Sequence, residues 1–184
     1  MGSGPSGKQL ARGRWVQAVL AGTAGAGELS ERLVSSCSEN GIHVSTAESC
    51  TAGLVAASIA DVAGASNVLL GGAVTYTDAI KHRVLHVSEE TLEHCTAVSE
   101  RCAEELAEGS RALFGSDAAV SVTGYAGPGG GTEQDPVGTV CFGLAEGSGV
   151  SSCRVRFDGS RAEVRSQAAA FALALLLDAV EMRG

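Results

Sequence analysis

Aromatic residues are nearly absent: one Trp, two Tyr and four Phe make up 4% of the 184 residues, although 45% of the chain is hydrophobic. A core without large rings must be built from Val, Leu, Ile and Ala, with 25 Gly letting backbones approach closely. That composition suits helices packed tightly on a sheet. Clusters of Lys and Arg are missing as well. Thirteen bases stand against 21 acids, a formal charge of −8, and no basic stretch is interleaved with aromatics. A nucleic-acid partner is therefore not expected. The same charge does not weigh against a small phosphorylated ligand held by backbone amides. Cys37, Cys50, Cys95, Cys102, Cys141 and Cys153 include no C-x-x-C pair, and the four His are equally scattered. Neither a zinc spacing nor a disulfide framework results, so free thiols in a reducing, cytoplasmic compartment are expected. The longest apolar run, "AAAFALALLLDAV", is too short to span a bilayer and is bounded by charges, so no membrane partner is expected.

Residues 1–27 carry Lys8, Arg12 and Arg14 and no acid before Glu28. Two readings fit: a disordered or tag-derived start, suggested by "MGSGPSG", or an organelle-targeting segment, which is Arg-bearing and acid-poor. Residues 28–184 are then a single domain of about 160 residues, enough to bury roughly 70% of its unfolded surface.

Leu29, Leu33, Val34 and Cys37 paint one helical face, and "ENG" supplies a stop. "IHVSTA" reads as a short strand and "TAGLVAASIADV" as a helix of small residues, which puts Glu48, Ser49 and Cys50 on a strand-to-helix turn. "NVLLGGAVTY" is a second strand ending at Tyr76. "TDAIKHRVL" follows as a helix opened by a hydroxyl cap, with Lys81 in its first turns. "SEETLEHC" and "SERCAEELAEGSRALF" each begin with a serine followed by acids, as helices do. "DAAVSVTG" is a third strand, "YAGPGGGTEQDP" a loop, and "VGTVCFGLAE" with "VSSCRVRFD" a hairpin turning near "GSG". A last helix runs from about Ser160 to Met182. Early strands separated by helices and late strands adjacent to each other predict an α/β domain around a mixed sheet.

Side chains at the carboxyl ends of parallel strands face the crevice where open α/β folds bind ligands. Three hydroxyls, Ser49, Tyr76 and Thr123, fall at such ends. Ser49 precedes a helix start whose amides suit a developing oxyanion, yet Ser49 or Thr51 also fits a simple cap, and the G-x-S-x-G elbow is absent. No His other than His43 adjoins a strand end, and His43 begins its strand, away from the crevice. Lys81 is better placed as a base, since a lysine that is desolvated or beside another cation gives up its proton readily. Cys50 is intrinsically the stronger nucleophile but lacks a His partner. Glu48 points to the opposite face from Ser49 and fits either a charge partner for Lys81 or a helix-terminal acid. Gly124, Gly127, Gly129, Gly130, Gly131 and Gly138 lie in one loop with Pro128 and Pro136. Successive glycine amides make an anion concavity, with Thr123 and Thr132 as further donors. The loop is neither a Walker motif nor a dinucleotide fingerprint. Arg161 and Arg165, one helical turn apart, fit a phosphate or carboxylate, or surface pairs with Asp158 and Glu163.

In this order "AESCTAGL", "VAGAS", "GGAVTYTDAIKHRVL", "AVSE", "VTGYAGPGGGTEQDPVGTV" and "GSRAEVR" resemble the CinA C-terminal-domain family, in its stand-alone nicotinamide-nucleotide amidase form of the PncC type. The resemblance runs from about Glu28 to Val180. It implies a three-layer α/β/α fold with a mixed sheet in a single domain, association into dimers or larger homo-oligomers, and no metal or organic cofactor. It also implies hydrolysis of the carboxamide of nicotinamide mononucleotide to nicotinic acid mononucleotide and ammonia. Ser49 matches the family's serine nucleophile, Lys81 and Tyr76 its catalytic lysine and tyrosine, and Thr123 the threonine of T-G-x-A-G-P. Glu48, Cys50, Thr51, Thr123, Gly124, Gly127, Gly129, Gly130 and Arg161 are the expected substrate-binding residues. The chain departs from the family pattern at Ala52, where a second Gly is usual, at Ala63, where Pro is common, and at His86, where Gly is common. The methyl of Ala52 is expected to crowd a ligand or shift the helix start, and His86 to strain a backbone that wants φ > 0.

Overall fold

Short runs of Val, Leu, Ala and Gly bounded by turns form, in a computed structural model of the chain, the five strands of one sheet. The structure describes residues 10, 12–147 and 149–182. In chain order the elements are α1 (Arg14–Leu20), α2 (Ala26–Asn40), β1 (Val44–Glu48), α3 (Leu54–Ala60), β2 (Leu69–Val74), α4 (Asp78–Leu85), α5 (Glu100–Phe114), β3 (Ala118–Gly124), β4 (Thr139–Glu146), β5 (Gly149–Arg156) and α6 (Arg161–Glu181). The strands lie in the order β2-β1-β3-β4-β5. β1 is parallel to β2 and β3, whereas β4 is antiparallel to β3 and β5, as the connections dictate. The β4–β5 turn falls at "GSG" as read, its central Ser148 outside the described residues.

Helices cover both faces, giving a single three-layer α/β/α domain. On one face α3 lies on β1 and β2 and α6 on β3 and β4; α2 packs on both helices, and α1 on α6. On the other, α5 crosses β1, β3, β4 and β5, with α4 beside it. From Val164 to Val180 almost every side chain of α6 is buried, because the sheet covers one side of the helix and other helices cover the rest. Among the described residues no helix is long and apolar enough to cross a membrane. Scarce as aromatics are, Phe142, Phe157 and Phe171 gather in this layer with ring centroids 4.6 to 6.2 Å apart.

Several local readings are met. Leu29, Leu33, Val34 and Cys37 form the buried face of α2, and Gly41 ends it at φ 64°. Ser99 Oγ accepts the Cys102 amide at 3.1 Å, capping α5, and Ser160 and Glu163 form a capping box on α6. Others differ. Thr77 occupies the N-cap of α4, but its side chain makes no cap bond. The "SEETLEHC" stretch is helical from Glu89 to Cys95, opened as read by Ser88, whose hydroxyl accepts the Thr91 amide at 3.1 Å, but it is short and its last five residues form a wide π-type turn. Four residues, 50–53, are taken by a turn before α3 begins. His86 adopts φ 58°, the left-handed region expected to strain it, and Ala52 lies there too at φ 53°, which the sequence reading did not foresee.

Of the stretch read as a tail, residues 1–9 and 11 lie outside the described residues, and the rest is built into the fold. The side chain of Asp178, near the end of α6, accepts the amides of Trp15 and Val16 at 3.0 Å each and so caps α1 from 162 residues away. Gly13 allows this approach, since a Cβ there would overlap the Asp178 carboxylate. The guanidinium groups of Arg14 and Arg32 each lie over the Trp15 ring, 4.7 Å from its centroid, and its Nε1 donates to Glu181 at 2.9 Å. A seven-residue helix held by a distant carboxylate leaves no periodic signal in its own sequence.

Two outcomes follow from this geometry. Ala52→Gly and His86→Gly each relieve a left-handed residue and are expected to stabilise the fold by about 0.5–1 kcal/mol in chemical denaturation. Asp178→Ala orphans two buried amides and is expected to cost about 1–3 kcal/mol. Trp15 is the single tryptophan, so its fluorescence should report α1 detaching before the circular-dichroism transition of the whole domain.

Candidate active site

The carboxyl ends of the three parallel strands bring the predicted residues to one edge of the sheet. The Ser49 amide donates to Val122 O at 2.9 Å and the Thr75 amide to Glu48 O at 2.9 Å, so Ser49 sits between the last residues of β2 and β3. Ala47, two residues earlier, belongs to the apolar cluster of the α4–α5 layer, and Ser49 shares its parity. Ser49 is half-buried, and its hydroxyl has no hydrogen-bond partner among the described residues. It therefore does not cap α3.

Glu48 does. Its carboxylate is 1% exposed and accepts the amides of Gly53 at 2.8 Å, Val55 at 3.1 Å and Ala56 at 2.9 Å, with the Thr46 hydroxyl at 3.2 Å. All four donors lie on α3, its turn or β1. The charge pairing with Lys81 weighed from the sequence is not made, because strand alternation turns Glu48 to the α3 layer and Lys81 belongs to the α4–α5 layer. The acid stands five residues before the helical N-cap, a spacing that no standard capping pattern contains.

Lys81 is 2% exposed, one of the largest fully buried side chains among the described residues, and its Nζ lies 3.4 Å from Asp78 Oδ1. It belongs to α4, which packs beside α5, so it lies in the α4–α5 layer, the side of the sheet whose parity Ser49 shares. Tyr76 lies two residues beyond β2 and is 54% exposed; its hydroxyl accepts Arg161 Nη2 at 2.8 Å. Arg161 Nη1 also donates to Gly127 O at 2.7 Å, tying Tyr76 to the glycine loop. No hydrogen bond joins Lys81 to Ser49 or Tyr76 among the described residues.

The turn after Ser49 is firmly held. Ala52 N donates to Ser49 O at 3.2 Å, and Arg165 of α6 donates Nε to Cys50 O at 3.0 Å and Nη2 to Thr51 O at 2.8 Å. The amides of Cys50 and Thr51 donate to no oxygen among the described residues and lean toward the Cys50 sulfur. Burial pushes that thiol up to about 11; the two amides and Arg165 offset this only in part. A thiol so protonated is a poor nucleophile near neutrality. Thr51 is fully enclosed, and its hydroxyl has no partner among the described residues.

Thr123, 1% exposed, donates its hydroxyl to Ala97 O at 2.6 Å. Gly124 closes β3 so near β4 that a side chain would overlap Thr139 O. Beyond it, Asp135 fastens the glycine loop: it accepts Arg154 Nη1 at 2.6 Å and closes a turn with Thr132. Gly129 and Gly130 are exposed, and the amides of Gly129, Gly130 and Gly131 have no acceptor among the described residues. A cleft of about 760 Å³ lies away from Ser49, on the outer side of α4, bordered by Asp78, His82, His86 and Glu93.

Comparison with known proteins places this geometry. The family model described as CinA C-terminal domain matches residues 26–180, which leaves α1 before the matched region. The nicotinamide-nucleotide amidohydrolase PncC of Enterobacter agglomerans is 48% identical over 147 residues, 79% of this chain and 90% of that protein. A CinA-like protein of Mycobacterium marinum is 46% identical over 135 residues, but the match spans only 32% of its length. A CinA superfamily protein from Klebsiella pneumoniae superposes with a TM-score of 0.83 at 37% identity, covering 86% of this chain and 99% of that one. The competence/damage inducible protein of Agrobacterium tumefaciens gives 0.82 at 39% identity, covering 85% and 95%. The chain belongs to the CinA C-terminal domain family and is a homologue of PncC.

Proposed function

We propose that this protein hydrolyses the carboxamide of nicotinamide mononucleotide to nicotinic acid mononucleotide and ammonia through an acyl-enzyme on Ser49. The observation that carries the reading is a free serine hydroxyl followed by two amides, of Cys50 and Thr51, that no oxygen engages. The PncC relative, matched over 90% of its length, supports the substrate.

In this mechanism Lys81 is the base and takes the Ser49 proton, assisted by Tyr76, whose phenol Arg161 holds in place. Ser49 Oγ attacks the carboxamide carbon, and the carbonyl oxygen, now negative, rests on the amides of Cys50 and Thr51. Collapse breaks the carbon–nitrogen bond; the proton taken from Ser49 returns to the nitrogen, and ammonia leaves. Water, deprotonated by the same base, attacks the acyl carbon, releasing the carboxylic acid and restoring Ser49. The substrate phosphate rests on the free amides of the Gly127–Gly131 loop, and Thr123, with lone pairs to spare beyond its bond to Ala97, borders the ribose or carboxamide. No metal or organic cofactor takes part. Homo-oligomer formation is part of the reading, supported by Leu70 and Val74, exposed apolar side chains of the edge strand β2, at 43% and 50% exposure.

Ammonia release from nicotinamide mononucleotide tests this directly. Ser49→Ala is expected to lower kcat by about 10⁴-fold or more, and Lys81→Ala by about 10²–10⁴-fold. Turnover that survives Ser49→Ala and is abolished by thiol alkylation would move the chemistry to Cys50. Nucleotide binding without any turnover in the unaltered protein would leave a binding module instead of an amidase.

A further inference from the structure

We infer that Thr75 is a proton relay between Ser49 and Lys81: its buried hydroxyl stands beside the serine, on the face of the sheet that the lysine covers. The inference rests on the Ser49 reading above and adds a residue and a role to it.

Strand register sets the neighbours of Ser49. Ala47 of β1 stands opposite Ala73 of β2, and the Thr75 amide carries that ladder one step beyond β2 by donating to Glu48 O at 2.9 Å. Ser49 therefore stands opposite Thr75, on strands about 4.8 Å apart. On the other side Ala47 pairs with Ser121, and the Ser49 amide extends the ladder to Val122 O, which makes Thr123 the neighbour there. Thr75, Ser49 and Thr123 thus form one row across the three parallel strands. Ala47 and Ala73 both belong to the apolar cluster of the α4–α5 layer, and residues two further along share their face. Tyr76, the next residue, is instead 54% exposed and held by Arg161 of α6, on the opposite side of the sheet.

The level of Lys81 follows from α4. Only Tyr76 and Thr77 separate Thr75 from the helix, so α4 starts at the carboxyl edge. Leu85, its last residue, packs in the cluster of Ala47 and Ala73, so the helix runs back over the sheet. Lys81 lies four residues earlier on the same helical face, about 6 Å nearer the edge. Ser49 and Thr75 lie two strand residues beyond Ala47 and Ala73, about 6.6 Å nearer the edge. The two steps match, so the buried amine and the two hydroxyls occupy the same level of one layer.

Thr75 is 0% exposed, and its hydroxyl has no hydrogen-bond partner among the described residues. Valine has the same shape and would avoid the cost of burying that group, so the fold itself gains nothing from a threonine here. Thr123, across Ser49, already spends its proton on Ala97 O at 2.6 Å. Thr75 is therefore the flanking hydroxyl whose proton is uncommitted. As Ser49 Oγ bonds to the carboxamide carbon, its proton passes to Thr75 Oγ1, and Thr75 passes its own proton to neutral Lys81 Nζ. Thr75 ends as it began, and the lysine holds the proton that the departing nitrogen later takes. These hydrogen bonds are not made in the structure; catalytic hydrogen bonds commonly tighten only once substrate is held.

Thr75→Val keeps the shape and removes the relay. It is expected to lower kcat for ammonia release from nicotinamide mononucleotide by about 10²-fold and leave KM within about threefold, since the enclosed side chain touches no substrate. Its chemical-denaturation midpoint should equal or exceed that of the unaltered protein, because the lost hydroxyl bonds nothing in the fold. Thr75→Ser, which keeps the hydroxyl, should recover kcat to within about fivefold. If Thr75→Val does not fold, Thr75→Ser against Thr75→Ala makes the same comparison, hydroxyl present or absent. A kcat within about threefold in Thr75→Val, a loss confined to KM, or a Thr75→Ser protein as slow as Thr75→Val overturns the relay while the amidase reading stands. An unaltered protein that releases no ammonia overturns both.

Discussion

A buried carboxylate needs a donor for nearly every lone pair, and Glu48 meets that demand with three backbone amides and one hydroxyl. This one side chain decides the shape of the turn that carries Ser49. It anchors the start of α3 to the end of β1, so the intervening residues must loop around it, with Ala52 and Gly53 forced into positive φ. It also fills the place where a helix N-terminus would otherwise receive an anion. The start of α3 is therefore not vacant for a developing oxyanion, and the amides that no oxygen among the described residues engages lie upstream, in the turn itself.

What holds that turn from outside is α6. Its first turn is set by the Ser160–Glu163 box, and its body from Ala168 to Val180 is fixed by burial on every side. From this rigid base Arg161 reaches Tyr76 and Gly127, and Arg165 reaches Cys50 and Thr51. Three segments far apart in sequence are thus referred to one helix. The layer that supplies Lys81 lies across the sheet, so the candidate base and the restraints on the Ser49 turn come from opposite faces.

The sequence made the framework readable because each strand is a short run of small or β-branched residues between clear turn residues, and because α2, α5 and α6 announce themselves by apolar spacing or by a serine cap. The assembly of Ser49, Tyr76 and Thr123 at one edge followed from that framework alone. Other features left no local mark. The bonds of Arg165 span 114 and 115 positions, so a pattern along the chain shows only two arginines a turn apart. The burial of Lys81 depends on how α4 lies against α5, and an isolated helix with a lysine on it looks like a solvated one. The capping of α1 by Asp178 is likewise invisible until the two ends of the domain are brought together.

Arg161 and Arg165 face the same way only because four residues are close to one helical turn. The site is consequently sensitive to register as well as to side-chain identity. A substitution at either position removes one set of contacts and leaves the other. Inserting or deleting a single residue between Ser160 and Arg165 would rotate the arginines by about 100° relative to each other or to the buried body of the helix. Because the buried body cannot turn to compensate, the grip on the Ser49 turn and the grip on Tyr76 and the glycine loop could not then be satisfied together. In lineages of this fold, the start of α6 should tolerate change in residue type far better than change in length.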